Sequence, residues 1–571
     1  TCAHNIKMDR NTLLAFFLIA LVLIFTPYYM ELVSPVPPPS DSLHTVKNPS
    51  PEISAPKEMP AIPRPEPAPG AAGASLSLPG QEEELLYTID TELYRARLSS
   101  KHGGSLVSFE TFNYTGQDSG FLNLINGVNN DNLVIRYKNI DGQDVDLSAP
   151  WSPDGKHYSG AITSPTTFSF FIDVGNNKKI EKSLTFYPDS YIIDINTNLS
   201  GVADQVFAGV YTFGWYGGLT TTEKNLEDDK MYFYSYVFQG GELVDLKVGS
   251  GESESMNLNG STEWVAIRTK YFISALIPER SGDVSSASIS GTNGGLELYD
   301  MALSLPASGA SSLRLYLGPL EYDRVKSVGK DLDRVMDFGF WFIRPISKGV
   351  LWVLKKMNDY IPNYGFVLVV FSVLVKILVF PLTKKSYEST AAMQRLAPEI
   401  AALREKLKDN PQKLNQATMK LYKDKGVNPL GGCFPMLLQM PLLFALFQVF
   451  RTTIELRAEP FVFWIKDLSA PDAVYTLPFS IPIYGAHVAV LPILMVISMF
   501  IQQRMMSPSG GEQQAQQKMM MYFMTGFFFL LFNSFPSGLN LYYTLFNILT
   551  IVQQKFITTH PHPPAEVKTA V

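Results

Sequence analysis

The stretch FSVLVKILVFPL, Phe371 to Leu382, sets a lysine inside an apolar run long enough to cross a membrane. A lysine at a helix centre costs about 2.5–3.5 kcal/mol on the insertion scale, so an intramembrane charge points to function. The competing reading is a lysine that snorkels its ammonium to the headgroups. Lys384 marks the polar boundary eight residues on, about 12 Å along a helix. A lysine stem covers only part of that distance, so snorkelling alone leaves the charge inside the hydrocarbon.

The neighbours of Lys376 strengthen the functional reading. Gly365, Ser372, Lys376 and Thr383 are spaced by seven, four and seven residues and share one helix face. Asn540, Thr544, Asn547 and Gln554 form a second polar stripe, with Tyr542 and Tyr543 near its start. Gln439 lies within a third apolar segment, and Ser498 and Gln502 share a face of a fourth. Singly, such residues serve as interhelical hydrogen-bond glue, at about 0.6 kcal/mol each. Together around a lysine they predict a hydrated cavity. No acidic side chain falls within the core of any later apolar segment, which weighs against a solute carrier coupled through an intramembrane carboxylate.

Working outward, apolar segments occur at 364–382, 429–450, 484–503, 519–535 and 538–556, the last two separated by only PSG. An earlier run, Leu13 to Met30, follows Lys7 and Arg10 and is just long enough to span. A cleaved signal peptide is the rival reading. The run is long for an h-region and no A-x-A-like site follows, which favours an uncleaved anchor. Met8 reads as the natural start. The loop 384–428 carries ten Lys or Arg against five Asp or Glu, whereas 452–483 carries two against four. The positive-inside rule puts the first loop in the cytoplasm and the second outside. The expectation is a multi-pass α-helical membrane protein with six spans, five of them forming a core, and cytoplasmic termini.

Between anchor and core the chain changes character twice. Residues 31–81 are rich in Pro, Ala, Ser and Glu and cannot bury a core, so they read as a linker. Residues 82–320 show strand alternation, as in KSLTFYPDSYIIDINTNLSG, punctuated by Gly, Asn and Asp, and predict a β-sandwich outside the membrane. Residues 321–360 mix Trp, Phe and Leu with Lys and Arg at near-helical spacing and predict an amphipathic helix in the interface. The core then occupies 361–557, and 558–571 form a short tail. In the cytoplasmic loop, Met393, Leu396, Ile400, Leu403 and Leu407 mark one helix, bent at Pro398. Leu414, Ala417, Thr418 and Leu421 mark a second after Asp409–Pro411, giving a helical hairpin over 384–428.

Composition excludes other classes. A formal net charge of −6 argues against a nucleic-acid binder. Cys2 and Cys433 are too far apart in a chain without others to build a disulfide framework or a cysteine zinc site. No nucleotide or metalloprotease motif is present, so no cofactor, metal or enzymatic activity is expected. An anchored β-domain receptor would not need five later segments with polar stripes.

The segments PLTKKSYEST, YKDKGVNPLGGCFPMLLQMPLLFALFQV, FWIKDLSAPD, LPILM and FPSGLNLYYTLFNILTIVQQ closely resemble the YidC family of membrane protein insertases, in family order and spacing over about 363–556. The resemblance implies a hydrophilic groove in a five-helix core, open to lipid and cytoplasm, that receives nascent membrane protein clients alone or beside the Sec translocon. It implies groove or client-contact roles for Lys376, Ser372, Tyr542 and Tyr543, to which the polar stripes add Gln439, Asn540, Thr544 and Asn547. Lys376 stands where the family usually carries arginine; it keeps the charge and loses the planar fork. Residues 473–487 are longer than in the best-known members. The basic hairpin, with Lys384, Lys385, Arg395 and Arg404, is the expected first contact for clients or a transiently bound ribosome. Membrane lipids are the remaining expected partner.

Overall fold

Alternation along the strands builds the first domain. In Lys178–Phe186 the side chains of Ile180, Lys182, Leu184 and Phe186 turn inward while those between them stay more exposed. The computed structural model describes residues 76–77 and 83–559, apart from 117–119, 126, 128–130, 156–157, 176–177, 295–296, 408–409, 428–433, 482–483 and 507–511. The expected anchor, nearly all of the linker and the tail beyond 559 lie outside the described residues.

Strand Lys178–Phe186 belongs to a nine-stranded sheet centred on Phe272–Pro278, Ala310–Pro319 and Ile192–Asn198, all antiparallel. A seven-stranded sheet contains Asn132–Lys138, Val210–Trp215, Glu297–Pro306 and Ser286–Asn293. The two meet where Tyr234–Gln239 and Thr262–Arg268 face the latter pair, burying Trp215, Trp264 and Val265. A five-stranded sheet, 86–123 with a fifth strand at Ser159–Ala161, completes the β-rich domain. Inward-facing Lys182 is 1 % exposed. Its ammonium donates to the carbonyls of His102, Gly104 and Leu133, while burial pushes its pKa down to about 7. These three carbonyls belong to other strands and turns, so the lysine ties them to its own sheet.

Helix α1 (Leu226–Lys230) interrupts the domain and α2 (Tyr322–Val328) ends it. The helix expected through 321–360 is broken. Gly329 adopts φ 85°, Lys330 and Asp331 also turn left-handed, and only α3 (Arg344–Asn358) continues as regular helix. A glycine is what such a turn requires, and it stops α2. Helix α3 buries Ser347, Val350, Leu351 and Leu354 and leaves Trp352 exposed.

Helix α4 (Tyr364–Arg395) is capped by Asn363, whose Oδ1 accepts from the Phe366 amide, and runs 32 residues through Pro381. Its first half is apolar and its second half is the polar limb of the loop, with no break between them. Pro398 does not bend a continuous helix; it sits in the first turn of a new one, α5 (Ala397–Lys406). Helix α6 (Pro411–Asp424) is capped by Asn410 and returns alongside α5, with Lys425 3.4 Å from Glu399.

Helices α7 (Phe434–Thr452), α8 (Val490–Met506), α9 (Glu512–Phe532) and α10 (Ser537–Thr559) complete the chain. The fourth segment starts later than expected. Gly485–Ala489 pairs with Ala473–Ile481 as an antiparallel hairpin. Asp472 Oδ2 then accepts from the amides of Val490 (3.0 Å) and Leu491 (2.8 Å) and fixes the start of α8 there. Among the described residues only α4 combines the length and apolar composition to cross a membrane by itself; α8 and Tyr522–Phe532 are apolar but shorter.

The β-rich domain and the helices are joined by ion pairs that are buried or partly buried. Arg457 Nε lies 2.7 Å from Glu223, with the two side chains 6 % and 14 % exposed, and its other nitrogens donate to the carbonyls of Thr115 and Thr222. Asp228 accepts from Lys270 (2.6 Å) and from Arg451 at the end of α7 (3.1 Å). Removing one partner of a buried pair leaves the other uncompensated, which costs about 3–5 kcal/mol. Glu223→Ala is therefore expected to lower the melting temperature and hasten proteolysis at this junction. Lys138→Ala, in an exposed pair 3.8 Å from Asp144, should change stability by less than about 1 kcal/mol.

Candidate functional site

Helix α10 packs against both α4 and α8, and the polar stripes meet along these contacts. Lys376 is 7 % exposed. Its Nζ lies 2.7 Å from Thr550 Oγ1, 4.7 Å from the Phe546 ring centre and 5.7 Å from that of Tyr387. Thr550 also donates to the Phe546 carbonyl at 2.7 Å, so its oxygen is held as an acceptor for the lysine. The ammonium is thus turned into the helix bundle, with a hydroxyl and two aromatic faces around it.

Towards the polar half of α4, Gln553 Nε2 lies 3.2 Å from Thr383 Oγ1. On the other side of α10, Asn547 Nδ2 lies 3.2 Å from Ser498 Oγ on α8. Lys376 and Asn547, with Thr383 and Ser498, are therefore drawn onto the faces that α10 shares with its two neighbours. Ser372 is fully buried and donates to the Leu368 carbonyl of its own helix at 2.7 Å. Gln439, on α7, is half-buried.

The outer end is built differently. Asn540 Nδ2 donates to the carbonyls of Phe532 (3.1 Å) and Phe535 (3.3 Å) and closes the turn between α9 and α10. Thr544 donates to the Asn540 carbonyl. Tyr542 packs on Phe371, Tyr543 and Phe546. Both tyrosine hydroxyls are buried without a hydrogen-bond partner among the described residues. Gly365 meets Phe461 so closely that an added Cβ would lie 1.9 Å from its ring. In the hairpin, Lys385 and Arg395 are exposed, while Lys384 and Arg404 are half-exposed.

Four contributors escaped sequence reasoning: Thr550, Phe546, Tyr387 and Gln553. Thr550 carried a usable signal, because Asn540, Thr544, Asn547, Thr550 and Gln554 recur at steps of four, three, three and four. The aromatic residues carried none: nothing in an apolar segment tells whether the Phe546 ring faces a cation or lipid, and Tyr387 lies in the charged loop.

The profile of the 60Kd inner membrane protein matches residues 356–563, and that of the YidC periplasmic domain matches 86–353. A protein of Chlorobaculum parvum named membrane protein insertase YidC is 35 % identical over 570 residues, covering 96 % of this chain and 94 % of the relative. One of the same name from Chloroherpeton thalassium is 34 % identical over 573 residues, covering 97 % of each. The chain belongs to the YidC family. A crystal structure of an active YidC insertase with its first transmembrane domain resolved aligns over 86 % of this chain and 96 % of that one, at 17 % identity and TM-score 0.36. The β-rich domain is thus the YidC periplasmic domain, and Lys376, Thr383, Ser498, Asn547 and Thr550 fall in the part matched by the inner membrane profile.

The Thr550 hydroxyl is the hydrogen-bond acceptor nearest the lysine charge. Thr550→Val, which keeps the shape and removes the oxygen, should destabilise the bundle by about 1–3 kcal/mol. Thr550→Ser should stay near wild type. Thermal unfolding of the detergent-solubilised protein, followed by loss of helical circular dichroism, separates the two.

Proposed function

We propose that this chain inserts integral membrane proteins into the bacterial inner membrane and helps them fold, alone or beside the Sec translocon. The relatives it matches across nearly all of its length carry the name of an insertase. The observation that carries the mechanism is Lys376, a buried cation whose partners are a hydroxyl and aromatic rings rather than a carboxylate. In this reading six spans cross the membrane, the last five form the core, both termini are cytoplasmic, and the β-rich domain is a sandwich in the periplasm.

The physics of the groove follows from its occupants. An incoming helix with a short polar N-terminal tail meets the cytoplasmic hairpin, where Lys384, Lys385, Arg395 and Arg404 attract acidic segments or a passing ribosome. The tail then enters between α4, α8 and α10, where Thr383, Gln553, Asn547 and Ser498 supply hydrogen bonds that lipid cannot. Lys376 draws acidic tail residues part-way across. Tyr542, Tyr543, Thr544, Asn540, Ser372 and Gln439 flank the route. Burial of the client's apolar helix in lipid at about 25 cal/mol per Å² drives release. An inside-negative potential favours outward movement of each negative tail charge by about 2.3 kcal/mol per 100 mV. No cofactor or nucleotide takes part in these steps, and no nucleic acid is a partner.

A solute carrier is the less favoured reading. Glu388 and Glu512 are the carboxylates of helices α4 and α7 to α10, and both lie outside the apolar stretches. A coupled carrier draws on intramembrane carboxylates to move its ion.

Complementation of a depleted strain, scored with a single-span client bearing an acidic tail, tests the charge. Lys376→Arg should support insertion. Lys376→Glu and Lys376→Ala should slow it about tenfold, the size of one lost charge-assisted contact. Equal insertion by all three at equal protein levels would show that the cation is not used.

A further inference from the structure

A second cluster of charges lies outside the groove, where the β-rich domain meets the segment leading into α3. A cavity of about 430 Å³ is walled by Tyr234 and Tyr236 and carries Arg268, Arg334, Arg344, Asp245 and Asp337. That volume is enough for a small ligand or a lipid headgroup. The two tyrosine rings stand 5.6 Å apart.

Three of the five charges are already committed, Arg334 among them, 3.5 Å from Asp331 and donating to the Gly241 carbonyl. Arg268 donates to the carbonyls of Thr269 and Val335. Asp337 accepts from the Gly339 amide at 2.8 Å and from Gln448 at 2.9 Å. The other two are open. Arg344 Nε is shut from solvent and has no hydrogen-bond partner among the described residues. Asp245 stands exposed on the cavity wall. Opposite charges that face one cavity without pairing suit a ligand with both signs.

The position of the cavity narrows the ligand further. Between the lining residues Gly339 and Arg344 the chain presents Phe340, Trp341 and Phe342, which are 61 %, 86 % and 51 % exposed. Consecutive exposed aromatics of this kind settle at the level of lipid headgroups. We propose that this cavity binds the headgroup of an outer-leaflet phospholipid of the phosphoethanolamine class, with Arg344 on the phosphate and Asp245 on the ammonium. The tyrosine wall offers the ammonium aromatic faces, and the exposed triplet lies beside the acyl chains. This assignment rests on the membrane orientation given under Proposed function, and not on client insertion.

Native mass spectrometry of the full chain, purified in detergent and titrated with phosphatidylethanolamine, phosphatidylglycerol or free phosphoethanolamine, tests it. Wild type should retain phosphatidylethanolamine in preference to phosphatidylglycerol. Arg344→Gln should weaken that retention about tenfold, as expected for one charge-assisted hydrogen-bonded contact, while Arg344→Lys keeps most of it. Asp245→Asn should abolish the preference over phosphatidylglycerol. Arg136→Gln, elsewhere in the β-rich domain, should change nothing, and circular dichroism checks that each variant is folded. Equal retention by wild type and Arg344→Gln, or equal retention of both lipids by wild type, would overturn the proposal. Free phosphoethanolamine binding as tightly as the lipid would overturn the lipid source. Client insertion measured on the same variants separates this result from the insertase reading, because lost lipid with intact insertion leaves that reading standing.

Discussion

A lysine in an apolar helix must find partners, and the partner available to Lys376 is Thr550 on the last helix of the chain. The 2.7 Å contact joins α4 to α10 across 174 residues of sequence. Because Thr550 spends its own proton on the Phe546 carbonyl, its oxygen is left to accept from the lysine. The cation is therefore part of the helix packing, and the polar residues near it take their positions from the same contact. Thr383 faces Gln553 below it, and Asn547 faces Ser498 on the opposite flank of α10.

Polar groups at the outer end serve another purpose. Asp472 starts α8, and Asn533 donates to the carbonyls of Tyr484 and His487 while accepting from the Ala489 amide. Asn540 closes the turn into α10. With Tyr542 packed on Phe371 and Gly365 against Phe461, this end is filled by side chains and backbone turns. The asymmetry has a physical consequence. Hydrogen-bonding capacity turned towards the lysine can meet a polar guest, whereas capacity consumed by turns fixes a closed rim. Arg451 and Arg457 carry that rim onto the β-rich domain through Asp228 and Glu223.

Much of this was legible in the sequence, and the reason is periodicity. The lysine face of α4, the stripe on α10, the strand alternation and the paired seams of the hairpin repeat at the spacing of their element, so a short window reveals them. What failed were boundaries set by single residues acting locally. Gly329 turns left-handed and breaks a helix that amphipathic spacing extended across it. Asp472, eighteen residues before the amide it caps, delays α8 beyond the apolar run that began at Tyr484. The lysine's aromatic neighbours were hidden because Phe546 belongs to an apolar segment, where facing direction is set by packing, and Tyr387 belongs to the charged limb three turns further along α4. Asn540 shares the stripe of α10, and its amide also donates to the turn, a contact that periodicity does not reveal. Lys182 sits in a strand whose alternation puts it inside.

The proposed function requires the face around Lys376 to be wet while the opposite face of α4 meets lipid. Water accessibility of single cysteines tests it most directly, in a chain with Cys2 and Cys433 replaced by serine. Cysteines at Asn547 and Thr383, on the shared face, should react with a small hydrophilic maleimide in intact membranes. A cysteine at Ile377, which is 69 % exposed on the outside of the bundle, should resist it, because lipid covers that position. Equal resistance at all three positions would contradict a hydrated groove.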